Sequence, residues 1–88
     1  MIKGTTTTGF EFELEDEVLD DYELLEVLCK VDKGEYNLVT EMVEKLLGEE
    51  QKERLKNHVR NICGKVSASK VMDEVAEIFQ SSKEIKNS

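Results

Sequence analysis

The spacing of apolar residues changes period once along this chain, and that change limits the folds open to it. In "FEFEL", Phe10 to Leu14, apolar and acidic residues alternate strictly, so Phe10, Phe12 and Leu14 share one face and Glu11 and Glu13 the other. That is the pattern of a half-buried strand. The preceding "IKGTTTTG" is β-branched and ends in Thr8-Gly9, which predicts a partner strand and a tight turn. A lone hairpin is marginal in water, so this one, over about residues 2–14, must lie against helices. Its outer edge, near Phe10 and Phe12, offers backbone groups to a partner strand.

From Glu17 onward the period is helical. Asp16 is the predicted N-cap, with acids in the first turn at the positive end of the helix. The apolar positions Val18, Leu19, Tyr22, Leu24, Leu25, Val27, Leu28 and Val31 exceed one narrow stripe, which predicts contact on more than one side. Gly34 ends this helix, and Asn37 caps a second, whose Leu38, Val39, Met42, Val43, Leu46 and Leu47 form a single stripe. Burying those side chains is worth on the order of 10 kcal/mol before entropy is subtracted. Gly48 closes the second helix. A third follows in "EEQKERLKNHVRNI", with Leu55, Val59 and Ile62 inward and its bases outward, and Gly64 stops it. Ser67 or Ser69 caps a last helix carrying Val71, Met72, Val75, Ile78 and Phe79. The architecture expected is mainly α, of the α+β kind: a small bundle of about four helices with a short N-terminal β-hairpin. One domain covers residues 1–80, and "SSKEIKNS", residues 81–88, reads as a flexible, frayed polar tail.

Eighty-eight residues without proline or tryptophan are near the lower size at which one core holds a fold alone. No apolar run approaches the roughly 20 residues of a membrane span, and "MIKGTTTTG" lacks the apolar centre of a signal peptide. A cytoplasmic location follows as the expectation, with Cys29 and Cys63 as reduced, buried thiols. The net charge of -8 argues against nucleic acid or anionic membrane as a partner, because both are polyanions. The charge is segregated. Glu11 to Glu26 holds nine acids and no base, whereas Gln51 to Lys70 holds six bases against the single acid Glu53. Such a chain can pair its halves internally, or head to tail with a second copy as a homo-oligomer.

Nothing in the sequence forms a catalytic, cofactor or metal motif. His58 is the only histidine, and nucleophilic catalysis needs a base oriented by a third group. With Cys29 and Cys63 it falls short of the four ligands, in paired short spacings, of a structural zinc site. "DKGE" from Asp32 lacks the alternating oxygen ligands of a calcium loop. No Asp-Ser opens a helix, which removes an acyl carrier protein. The basic stretch Lys52 to Arg60 fits a solvated helix face as readily as a DNA-reading helix. A non-enzymatic protein is expected.

Five blocks carry a resemblance: "TGFEFEL", the acidic "VLDDYELLEVL", the glycine after an acidic helix end in "VDKGEY", "LLGEEQKERLKNHV" and the closing "GKVSASKVMDEVAEIF". Their order, over about Thr8 to Phe79, resembles the small tail assembly chaperones of long-tailed bacteriophages and prophages. The resemblance implies a non-catalytic protein that binds the tail tape measure protein and keeps it soluble during tail building. It also implies recruitment of tail tube subunits and absence from the mature virion. A client surface or self-association surface is expected to include Phe10, Phe12, Tyr22, Leu24 and Leu28, the alternative for each being a place in the core. Two other readings remain open. One is a small acidic regulator, antitoxin-like or a DNA mimic, whose carboxylates from Glu11 to Glu26 imitate phosphates for a basic partner. The other is a structural subunit that assembles head to tail.

Overall fold

The computed structural model describes residues 1–87. It is mainly helical with an N-terminal antiparallel hairpin: β1 (Ile2–Thr5), β2 (Glu11–Leu14), α1 (Tyr22–Asp32), α2 (Val39–Cys63) and α3 (Ala68–Asn87). Ile2 pairs with Leu14 and Gly4 with Phe12, which puts Ile2, Phe12 and Leu14 on the buried face and leaves Lys3, Thr5, Glu11 and Glu13 in water. β1 rests on α3 and β2 on α2. The hairpin is thus a lid on the helices, and the sixteen buried apolar side chains, from Ile2 to Ile78, make one core. The register requires the glycine at position 4. A Cβ there would stand 2.6 Å from the Phe12 ring and 3.2 Å from Ile85 on α3.

Three helices form where about four were expected, because the second and third expected helices join across Gly48 into α2. The break survives as a kink. Gly48 has φ 81° and ψ 165°, a conformation essentially confined to glycine. α1 starts later than expected. Residues Asp16–Asp20 form a 3-10 turn, and the Asp16 carboxylate is held by the terminal ammonium at 3.0 Å instead of capping a helix. Asp21 takes the capping role, its Oδ1 accepting from Glu23 N–H at 2.9 Å and Leu24 N–H at 3.3 Å. Asn37 lies in a second short 3-10 turn, Tyr36–Leu38, and α2 begins at Val39 without a side-chain cap. Ser67 caps α3, its Oγ accepting from Lys70 N–H.

Further differences concern burial. Ile62, expected inward, is exposed in the last turn of α2, and Cys29 and Cys63, expected buried, are both exposed. Cys29 stands seven residues after Tyr22, on the outer face of α1, opposite the buried Leu24, Val27 and Val31. The expected frayed tail is helical through Asn87, while Ser88 lies outside the described residues. Ser82 is fully buried within it, because its hydroxyl donates to the Ile78 carbonyl at 2.7 Å and so carries no unmet polar group inside. Among the described residues, no helix is long and apolar enough to cross a membrane.

Candidate protein-interaction surface

The positions expected to form an interaction surface separate into two groups. Phe10, Phe12 and Leu24 are core residues. Phe10 is also covered by the His58 ring, with centroids 5.5 Å apart, and by the Arg54 guanidinium at 5.5 Å. Leu28 is half-buried against the core, and only Tyr22 stands free, at 73% exposed. The structure adds Leu25 beside Tyr22. With Glu23, Glu26 and Cys29 these residues make an outer α1 face that mixes apolar and acidic side chains. The excess of apolar positions in α1 therefore has two explanations: one stripe enters the core and another remains outside.

The free edge of β2 is closed. The Gln51 carboxamide, one turn after the α2 kink, lies along it as a strand would. Its Oε1 accepts from Glu13 N–H at 2.8 Å, and its Nε2 donates to the Glu13 carbonyl at 2.6 Å. Arg54 donates to the Glu11 carbonyl at 3.2 Å. Partner-strand addition at this edge would have to displace both side chains.

A second cluster clamps the β1–β2 turn to the helices. Glu74 of α3 is buried, and its Oε1 accepts from the Thr6 hydroxyl at 2.9 Å and the Thr8 hydroxyl at 2.8 Å. Thr7 bonds Glu77 through both its hydroxyl and its backbone N–H. His58 Nε2 is 3.0 Å from the Thr8 oxygen. Since the one Thr8 proton goes to Glu74, the imidazole must donate to Thr8. A base activating a nucleophile would do the reverse. The cluster holds the turn in place.

A groove of about 730 Å³ opens between α2 and the start of α3. Val43, Leu55 and Val71 form its buried floor, Val39, Val66 and Met72 its half-exposed walls, and Tyr36 stands at one end. Both halves of α2 contribute, so the kink at Gly48 shapes the groove. Its rim carries Lys52, Lys56 and Asp73. Lys52 is ion-paired with Glu44, and Lys56 with Glu53 at 3.2 Å. The hydrogen bond to Glu44 raises the Lys52 pKa above its usual 10.5, and the carboxylates of Glu44, Glu49 and Glu53 add to that. Lys52 thus stays protonated throughout the neutral range, with its charge met by Glu44. No signal in the sequence located it, since its walls come from segments that read separately as core stripes.

No family model, curated protein or solved structure matches this chain.

Proposed function

We propose that this protein is a non-catalytic tail assembly chaperone of a long-tailed bacteriophage or prophage. It binds the tail tape measure protein in the host cytoplasm, keeps it soluble during tail building, helps bring in tail tube subunits and is left out of the finished virion. The blocks around "DDYELL" and "LLGEEQ" supply the family, and the α2–α3 groove is the observation that carries the binding role. An open apolar channel of about 730 Å³ beside a helix pair fits the apolar face of a client helix. The acidic remainder of the surface keeps such a complex soluble.

The test is co-expression with the tape measure protein of the same phage or prophage, followed by pull-down and light scattering at low and high salt. A soluble complex that persists in salt is expected, because an apolar groove is insensitive to screening. Met72→Glu, placed on the half-exposed wall, should abolish it in a folded protein. Absence of any complex, with the tape measure protein still aggregating, would defeat this reading. One observation favours a second reading, the small acidic regulator: eight of the carboxylates from Glu11 to Glu26, all but Asp16, stand exposed outside any ion pair with the basic segment. Tight binding to a basic protein, lost as salt is raised, would move that reading first.

A further inference from the structure

The fold brings its two oppositely charged segments together through main-chain contacts, Gln51 on Glu13 and Arg54 on the Glu11 carbonyl, and not through carboxylates. The bases of residues 51–70 that meet carboxylates do so on their own helix, Lys52 with Glu44 and Lys56 with Glu53. Among the described residues, Asp16 aside, no ion pair joins that segment to the acids of Glu11 to Glu26. Each segment also carries apolar surface left over by the core. On the acidic side, Tyr22 and Leu25 are exposed on α1 between Glu23 and Glu26. On the basic side the α2–α3 groove is open, with Lys52 and Lys56 on its rim and exposed Arg60 one turn further along. These two surfaces are complementary in both respects, and they lie on different elements.

We infer that the acidic outer face of α1 from one copy docks in the α2–α3 groove of a second copy. Tyr22 and Leu25 enter the apolar channel, while Glu23 and Glu26 face Lys56 and Arg60. The contact is heterologous, so each copy keeps one unused half and assembly continues into a ring or filament instead of stopping at a dimer. This does not depend on the chaperone reading, but it uses the same groove, so a client helix would have to displace the second copy.

Sedimentation of the full chain across a concentration series tests the contact. Wild type should grow through successive species at low salt, and raising sodium chloride from about 50 to about 500 mM should weaken association on the order of tenfold. Glu23→Lys with Glu26→Lys should give a monomer, as should Lys56→Glu with Arg60→Glu. Mixed in equal amounts, the two variants should co-assemble again in alternation, because their charge reversals complement each other. The intact α1 face of the groove variant meets the intact groove of the other, and the lysines introduced on α1 meet the glutamates introduced at the groove, so growth resumes. A wild type that stays monomeric at low salt overturns the inference, as does a mixture that stays monomeric or a charge variant that still dimerises. Tyr22→Ser provides a control that leaves the core untouched, and it too should be monomeric; unchanged association in that variant also overturns the inference.

Discussion

Glu74 shows how a single charged residue can belong to a core. It lies among Val71, Val75 and Ile78 on the inward stripe of α3, yet it accepts two threonine hydroxyls from a turn 66 and 68 residues away. Removing the acceptor would leave at least one hydroxyl proton without a partner, since the Thr6 and Thr8 oxygens, 3.1 Å apart, can satisfy only one between them, at a cost of about 1–3 kcal/mol. Glu74→Ala should lower the unfolding free energy measured in urea by that amount, whereas Glu74→Gln, which keeps an acceptor oxygen, should lose less. Equal losses in the two variants would mean that the carboxylate charge, and not an acceptor oxygen or the side-chain volume, holds the turn. The same turn explains the sole histidine: His58 secures Thr8 and packs on Phe10.

At the scale of elements, α2 is the determining piece. Its kink turns the carboxy-terminal half so that Leu55 and Val59 are buried while Gln51 and Arg54 reach the outer strand. Gly48→Ala isolates the backbone contribution, since an added Cβ meets nothing within 4 Å. The strained φ alone should then cost about 1–3 kcal/mol in denaturant unfolding. A variant at least as stable as wild type would show that α2 runs straight without loss to the core. The hairpin depends on α2 as well. Gln51 satisfies both backbone groups of Glu13, which spares the chain an open edge on β2.

For the whole molecule, the radius of gyration of 12.2 Å matches the roughly 12 Å of a compact chain of this length. A net charge of -8 is carried on that small body, with the acids of the front other than Asp16 outside any ion pair with the basic segment. Self-repulsion therefore opposes folding at low salt. Thermal melts at a dilution where the chain is monomeric should shift upward between about 10 and about 150 mM salt, as the Debye length falls from about 30 to about 8 Å. A downward shift would mean that attractive pairs outweigh the crowding of Glu11 to Glu26.

The features legible in the amino-acid sequence are those decided within a few residues. Alternation at Phe10 to Leu14 marked the strand, the stripe from Met42 to Leu47 marked a core helix, and Gly34, Gly48 and Gly64 marked chain reversals or breaks that need positive φ. Each rests on local periodicity or local backbone sterics. Tertiary structure decided the rest, because it depends on groups far apart in the chain. The Gln51 closure spans 38 residues, and Ser82 is inside because β1 lies over its helix. The groove exists because one glycine kink and one helix start converge on the same apolar floor. Apolar spacing specifies which residues leave water; only packing specifies which of them are covered by the chain itself and which are left for another molecule.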